Sequence, residues 1–563
     1  MHTPKLANLR LGRVSGVALK TLAATMRAPV LRDAVAYTVR RELGIDRALA
    51  LPSSARGPLL GSHAPLRARH RHDRPSERLG PPSVPTSWPR TSGAFTRAFS
   101  EGRTTPDAVS RRALTEARAL ALETSQGPFS DYLDERAKSA SAASRERLLS
   151  HAPRLLEGVP LAIKEELDVA GVPTRLGTGF MPYFPAAKDS LAVERLVAAG
   201  AVPVGQTPMT EYGMSPLGVN VHRRMPRNAH DATRLAGGSS TGSAVAVALG
   251  LVPIAIGTDG GGSIRIPAAY NGVFGLKPTY GRVPLVGHGS PATTSVVHIG
   301  ALSASSTDLA LALGSMSGAA ADDPLSELQP ALAELELFEA LGRGVRGLKI
   351  GVPESEWRAA EPGVERLGRA ALATLERAGA TLVPLSLELA EHASAIGYLT
   401  IALEVHAALR HVRREHFADL GYDLQVVLGG LDAFRSDDYL DAQRLRSALR
   451  SELRDALLEV DVIALPSTAN TAPPVTDAEA RVGIIDPAAL SAACRYAFLA
   501  NLTGLPAASV PVGLAEDGLP VGLQLVGDAW DEACVLQVAA QLERDGAARV
   551  VRPARAVDLL DGA

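Results

Sequence analysis

The chain has 563 residues, of which 46% are apolar, and a formal net charge of −2. This length and apolar content suit one very large globular domain or several ordinary ones, and they exclude a disordered chain. The nearly balanced charge gives no global electrostatic case for a nucleic-acid partner.

The two cysteines, Cys494 and Cys534, cannot form a disulfide framework and lack the paired Cys/His spacing of a zinc site. We expect both to be buried apolar residues. The sequence contains no uncharged apolar run long enough to span a membrane, and its N-terminus lacks the apolar core and cleavage site of a signal peptide. These features predict a cytoplasmic protein without a metal or a cofactor.

Residues 1–50 form a basic amphipathic segment in which apolar residues recur at helical spacing and Pro29 separates two helices. Basic residues outnumber acidic ones there by nine to three. Two interpretations stay open. The basic and apolar faces could make peripheral contact with an anionic membrane, or the helices could pack on the main domain or on a second subunit.

Residues 51–90 are rich in Pro, Ser, Arg and His, which is typical of an irregular linker. We interpret its basic cluster as solvated charge and assign it no metal or nucleic-acid site. The cluster comprises Arg67, Arg69, His70, Arg71, His72 and Arg74. The catalytic domain is expected to occupy residues 91–555.

From residue 91 onward the pattern becomes regular. Helices are predicted over 93–101 and 105–123, and a short apolar strand ends at Lys164. A helix over 191–200 and a strand over 202–205 complete one strand-helix-strand unit, and a second unit spans 348–385. Helical pattern fills 388–458, and strands follow near 462–465, 508–512 and 521–526. This alternation predicts an α/β fold with a large, mostly parallel sheet covered by helices on both faces.

The most informative stretch is 237–278, which contains two serines embedded in glycine. Ser239 lies in Gly237-Gly238-Ser239-Ser240-Thr241-Gly242-Ser243, and Ser263 lies in Gly257-Thr258-Asp259-Gly260-Gly261-Gly262-Ser263-Ile264-Arg265. Glycine permits positive φ and close approach of backbone or ligand, so both hydroxyls can sit on tight turns. Such turns are typical of a nucleophile.

These motifs, together with Gly275-Leu276-Lys277-Pro278-Thr279 and the upstream Gly158-Val159-Pro160-Leu161-Ala162-Ile163-Lys164-Glu165, resemble the amidase signature family. The resemblance implies the amidase signature fold, with a large mixed, mostly parallel, twisted sheet. It also implies a Ser-Ser-Lys triad with Ser263 as the nucleophile, Ser239 as a bridging serine on a cis peptide bond, and Lys164 as the base. An acyl-enzyme is the implied intermediate.

The residues themselves make this chemistry reasonable. Lysine serves as a base near neutral pH only when burial lowers its pKa, which an apolar strand can provide. The backbone N–H groups of Gly260, Gly261, Gly262 and Ser263 are the expected oxyanion hole.

Three further residues are expected to support the serine loops: Ser240, Asp259 and Arg265. We expect Asp259 to accept backbone N–H bonds and Arg265 to orient the loop of Ser263 without reacting. We assign no catalytic partner to Glu165, Glu166 or Glu211.

Within the family, the chain most resembles plant-type fatty acid amide hydrolase. The resemblance is carried by Pro208-Met209-Thr210-Glu211-Tyr212-Gly213-Met214, by Pro226-Arg227-Asn228 and by Gly518-Leu519-Pro520-Val521-Gly522. It implies hydrolysis of N-acylethanolamines and related lipid amides, a small-molecule substrate with a hydrophobic acyl group, a homodimer, and leading helices that help to admit the acyl chain.

Alternative functions are an amidase for aryl amides, esters or carbamates, or the glutaminase subunit of a tRNA-dependent amidotransferase. A non-catalytic membrane-docking module is disfavoured because all three triad positions are filled.

Overall fold

The structure is a computed structural model that describes residues 12–26, 28–59, 66, 79–80, 82, 88–124, 127–181, 184–291, 295–332 and 334–562. The basic cluster from Arg67 to Arg74 lies outside the described residues. The interpretation of 51–90 as a linker therefore stays a prediction.

The described residues contain thirteen strands: β1 (Val14–Ser15), β2 (Asp131–Tyr132), β3 (Pro160–Lys164), β4 (Val202–Thr207), β5 (Ile254–Asp259), β6 (Phe274–Lys277), β7 (His298–Ser303), β8 (Lys349–Pro353), β9 (Thr381–Leu385), β10 (Val462–Pro466), β11 (Ile484–Ile485), β12 (Ala507–Leu514) and β13 (Pro520–Gly527). Eleven of these described strands form one sheet in the order β2-β4-β3-β5-β7-β6-β12-β13-β10-β8-β9. The other two pair as β1 with β11.

The predicted α/β class and the mixed sheet are confirmed. Parallel pairing occurs where helices connect the strands, in β4-β3-β5 and in β10-β8-β9. The strands between these groups pair antiparallel, from β5 through β7, β6, β12 and β13 to β10. The predicted parallel order therefore holds in the two strand-helix-strand units, because crossover helices return the chain in the same direction, whereas the hairpin of β12 and β13 reverses it.

The described helices carry the following bounds: α1 (Gly16–Thr25), α2 (Pro29–Glu42), α3 (Ile45–Leu49), α4 (Ser92–Ser100), α5 (Pro106–Thr124), α6 (Asp134–Leu149), α7 (Leu191–Ala198), α8 (Thr241–Ala248), α9 (Arg265–Asn271), α10 (Ser306–Met316), α11 (Glu334–Leu341), α12 (Glu354–Arg358), α13 (Pro362–Arg377), α14 (Ala393–Ala408), α15 (Arg410–Glu415), α16 (Tyr422–Gly430), α17 (Ser436–Glu459), α18 (Asp477–Val482), α19 (Pro487–Cys494), α20 (Ala497–Thr503) and α21 (Glu532–Arg544).

Both faces of the sheet are buried. Val462 and Ala464 of β10 point into one hydrophobic core, and the alternating residues Ile463 and Leu465 point into a second core. Because successive side chains of a strand point to opposite faces, the two cores lie on opposite sides of the sheet. Helices therefore cover both faces, as predicted.

The N-terminal helices pack on the rest of the chain. Leu19 and Ala23 of α1 and Met26, directly after it, form a small core with Val426 of α16. Val14 pairs with Ile485, and Ile45 of α3 joins the second hydrophobic core. The described residues of this segment, 12–26 and 28–50, therefore pack on the rest of the chain, as one of the two interpretations expected.

Cys494 and Cys534 are both buried, as expected. No helix within the described ranges combines the length and the apolar character needed to cross a bilayer.

Candidate active site

Two neighbouring strands carry the polar residues of the site at their carboxyl ends. Lys164 ends β3, and Thr258 and Asp259 end β5. The two strands pair in parallel with Ile163 opposite Ile256, so their ends lie side by side at one edge of the sheet. The two serine loops begin nearby, because Ser239 precedes α8 and Ser263 precedes α9.

The loop of Ser239 is held by tight backbone contacts. The peptide bond between Gly238 and Ser239 is cis, which confirms the geometry that the family resemblance implied. A Cβ on Gly238 would lie 2.9 Å from the carbonyl oxygen of Ser215, so only glycine fits here without a shift of the backbone.

Lys164 is fully buried and contacts three oxygen atoms. Its Nζ lies 2.7 Å from Ser239 Oγ and 2.6 Å from Thr258 Oγ1. The third neighbour is Glu166 Oε2, at 2.8 Å. Burial lowers the pKa of Lys164, and the carboxylate of Glu166 opposes that shift. The net shift is downward, which is the direction that a general base requires.

Ser240 connects the two serine loops. Its backbone N–H donates to the carbonyl oxygen of Ser263 at 3.1 Å. Its side-chain oxygen exchanges hydrogen bonds with the backbone of Thr258, at 3.2 and 3.3 Å. Ser240 thus connects the loop of Ser263 to β5, whose end lies beside Lys164.

Asp259 and Arg265 form a buried ion pair beneath the loop of Ser263. Asp259 Oδ1 lies 2.9 Å from Arg265 Nη2, and both side chains are fully buried. Burial alone would raise the pKa of Asp259, but the guanidinium of Arg265 holds that pKa well below its usual range. The carboxylate also accepts the N–H of Ile264 at 3.2 Å, so its expected role as an acceptor of backbone N–H bonds agrees with the geometry.

The expected oxyanion hole needs one correction. The N–H of Gly262 donates to Asp259 Oδ1 at 2.8 Å, so it is already committed to the ion pair and is not free for a substrate oxygen. The reason is the backbone turn at Gly262, which has φ of +112°. The structure gives no hydrogen bond within the described residues for the N–H groups of Gly260, Gly261 and Ser263.

Ser263 opens into a cavity bounded by the N-terminal helices. Ser263 and Gly261 are partly exposed although their neighbours in the loop are buried. The cavity extends to α2, α14, α16 and α20, and its apolar lining includes Val35, Val39, Leu43, Ile401, Phe434 and Phe498. Apart from Ser263, the polar side chains of the lining are Glu42, Tyr398 and Cys494.

Sequence reasoning missed two residues that touch the lysine. Glu166 was assigned no partner, yet its carboxylate contacts Lys164 directly. Thr258 stands within the signature motif and could have been found there, since its side chain follows the same strand end as Asp259. Asn501 donates to Asp259 Oδ1 at 2.9 Å from a distant α20, and no local pattern could have indicated it. Glu165 accepts the N–H of Met209, and Glu211 accepts that of Gly421; neither contacts Lys164 Nζ.

No group of three or more metal-ligating side chains occurs in the part of the chain that the structure describes.

Comparisons with known proteins agree with this geometry. The sequence profile of the Amidase family matches residues 117–536. A glutamyl-tRNA(Gln) amidotransferase component from Anaeromyxobacter sp. (strain K) is 37% identical over 78% of this chain and 93% of its own length. Fatty acid amide hydrolase of Oryza sativa subsp. indica is 31% identical over 83% of this chain and 78% of its own length.

A solved structure has the same fold. A bacterial aryl acylamidase of the amidase signature family superposes with a TM-score of 0.72 at 26% identity, covering 82% of this chain and 97% of that structure. The family profile, the two relatives and the Lys164–Ser239 contact on a cis peptide bond lead to one conclusion: the chain belongs to the amidase signature family and is an enzyme that hydrolyses amides.

Proposed function

We propose that the enzyme hydrolyses amides of hydrophobic carboxylic acids, with fatty acyl amides such as N-acylethanolamines as its substrate class. The observation that carries this proposal is the cavity at Ser263, which is lined almost entirely by apolar side chains. An acyl chain gains free energy by leaving water for such a surface, at about 0.8 kcal/mol for each buried CH₂ group.

Charge in the cavity disfavours glutamine as the substrate. Glutamine carries a carboxylate and an ammonium group next to its side chain, and both would need partners once removed from water. Among the described residues, no Lys, Arg or His side chain lines the cavity, and its single carboxylate, Glu42, already pairs with Arg41 at 2.9 Å. Sequence identity to this chain is similar for the amidotransferase relative and the fatty acid amide hydrolase, at 37% and 31%, and does not decide between them. The apolar lining of the cavity favours the lipid amide over the glutaminase alternative.

The proposed mechanism is acyl transfer. Neutral Lys164 accepts a proton from Ser239, which accepts one from Ser263, and the oxygen of Ser263 bonds to the amide carbon. The N–H groups of Gly260, Gly261 and Ser263 stabilise the negative oxygen of the tetrahedral intermediate. The relay then returns the proton to the leaving amine as the C–N bond breaks, and water hydrolyses the acyl-enzyme.

The wall formed by α2 provides a test of substrate class. We expect Val39→Asp to lower kcat/KM for long-chain acylethanolamines by about 10- to 100-fold, because it places a carboxylate against the acyl chain. Hydrolysis of a short acetyl amide should change little. The measurement is kcat/KM over a series of acyl lengths. Ala34→Asp, on the exposed side of the same helix, is the matched control.

The same panel should include glutamine. Efficient glutaminase activity with no gain in kcat/KM as the acyl chain lengthens would contradict the proposed substrate class and favour the amidotransferase alternative. Aryl amides, esters and carbamates with equal acyl groups would show how far the leaving group matters.

We further propose that the outer face of α1 and α2 contacts the membrane surface from which a lipid amide is drawn. Val17 and Val30 are about four-fifths exposed, at 80% and 81%, although they belong to helices that pack on the catalytic domain. Lys20 and Arg41 lie on the same two helices. Exposed apolar residues beside basic ones are typical of interfacial helices.

Replacement of both valines by Asp should therefore weaken sedimentation of the full chain with anionic phospholipid vesicles by about tenfold. The membrane contact would lose two exposed apolar side chains and gain two negative charges. Leu122→Asp on α5, where the leucine is 85% exposed, is the control. Equal vesicle binding by the double variant and the control variant would leave packing as the sole role of these helices. The homodimer and the cytoplasmic location stay predictions.

A further inference from the structure

A second buried charge lies beside the lysine of the triad. Glu166 Oε2 is 2.8 Å from Lys164 Nζ, and the hydroxyl of Thr258 donates to the same carboxylate oxygen. Thr258 Oγ1 is in turn 2.6 Å from Lys164 Nζ. The three groups thus form a closed triangle, of which only one member, Lys164, also contacts Ser239.

Counting hydrogens shows what this triangle can do. A neutral lysine amine has two N–H donors and one lone pair. The carboxylate of Glu166 can only accept hydrogen bonds. The hydroxyl of Thr258 donates its one hydrogen to Glu166, so toward Lys164 the oxygen of Thr258 can only accept. Both N–H groups of the amine are therefore claimed by Glu166 and Thr258. The lone pair is left for the remaining neighbour, Ser239.

We propose that Glu166 and Thr258 are positioning residues that aim the lone pair of Lys164 at Ser239. The inference rests on the proposed acyl transfer, in which Lys164 acts as the base. Glu166 does not touch the substrate in this account. It acts through the orientation of the amine and through its negative charge.

The other charged groups near the amine do not make this contact. Asp259 is paired with Arg265. Glu165 lies 3.7 Å from Arg223 Nε and accepts the backbone N–H of Met209, and burial raises the pKa of Glu165. On its far side Glu166 Oε1 faces His288 Nε2 at 3.3 Å. Burial alone would raise the pKa of Glu166, but Lys164 and His288 hold it well below its usual range, so the carboxylate stays ionised.

The test is Glu166→Gln in the full chain, with Glu165→Gln as the matched control. We expect kcat to fall at least about tenfold in Glu166→Gln with little change in KM, since an unaligned base loses part of the gain from general base catalysis. The acid limb of the kcat/KM profile should move to lower pH, because an anion that stabilises the ammonium form of Lys164 has been removed. Glu165→Gln should keep the wild-type kcat and should move the acid limb less than Glu166→Gln does, because Glu165 makes no contact with Lys164 Nζ.

The thermal unfolding midpoint will show whether Glu166→Gln folds. If it does not fold, variants of Thr258 provide a second, independent test. Thr258→Val removes the acceptor oxygen and should lower kcat, whereas Thr258→Ser keeps the hydroxyl and should restore it. Wild-type kcat and an unmoved acid limb in Glu166→Gln, or in Thr258→Val where the first variant does not fold, would overturn the inference.

The rate at which a fluorophosphonate labels Ser263 supplies a readout that does not depend on the substrate. If the wild-type enzyme hydrolyses no acyl amide in the panel, the proposed substrate class fails. The positioning inference is then decided by the pH dependence of labelling. A larger shift of the acid limb in Glu166→Gln than in Glu165→Gln supports the inference, and equal shifts in the two variants overturn it.

Discussion

Ser263→Ala should abolish amide hydrolysis, lowering kcat by at least about 10⁴-fold, because removing a serine nucleophile disables a catalytic group that acts as a unit. Ser263 is the partly exposed hydroxyl at the floor of the apolar cavity, next to the N–H groups of Gly260 and Gly261. The measurement is turnover of an acylethanolamine, an aryl amide and an ester with the same acyl group.

Ser240→Ala is the comparison variant for this experiment. Its hydroxyl makes two hydrogen bonds with the backbone of Thr258, so we expect a loss of about tenfold, in line with about 0.5–1.5 kcal/mol for each hydrogen bond. Wild-type turnover by Ser263→Ala would show that another group attacks the amide.

Replacement of the base is the second change with a large expected effect. Lys164→Met should lower kcat by at least about 10³-fold, because the relay through Ser239 loses its proton acceptor. It should also lower the free energy of unfolding by about 1–3 kcal/mol, since the buried carboxylate of Glu166 loses the hydrogen-bond donor that Lys164 provides.

The double variant Lys164→Met with Glu166→Gln separates these two losses. It removes both members of the buried pair, so the free energy of unfolding, measured by urea denaturation, should recover most of the loss while kcat stays low. A double variant as unstable as the single one would contradict the assignment of Lys164 and Glu166 as a directly coupled pair. Recovery of turnover together with stability would contradict the role of Lys164 as the base.

The sequence predicted well those parts of the site whose residues are close together in the chain. The strand that ends at Lys164, the glycine loops of Ser239 and Ser263, and the acceptor role of Asp259 were all expected from local pattern. Apolar strands, glycine turns and a carboxylate beside a turn are determined by neighbours within a few residues, which is why sequence reasoning reaches them.

What the sequence did not predict depends on pairing across the fold. The middle of the sheet is antiparallel because of which strands become neighbours. The amino-acid composition of a strand does not determine its neighbours in the sheet. Glu166 lies just beyond the strand end, and its contact with Thr258 joins residues 92 positions apart. Gly262 N–H donates to Asp259 because the backbone of Gly262 adopts a positive φ. A run of three glycines does not show which of them adopts that conformation, because any glycine can.

One experiment tests the central claim most directly: labelling of the full chain with a hexadecyl fluorophosphonate, followed by mass mapping of its peptides. The serine oxygen displaces fluoride and leaves a stable phosphonate ester. We predict a single adduct on Ser263, and we predict that a long-chain acylethanolamine slows its formation far more than glutamine does. An adduct on another residue, or protection by glutamine in place of the lipid amide, would contradict a hydrophobic acyl site built around Ser263.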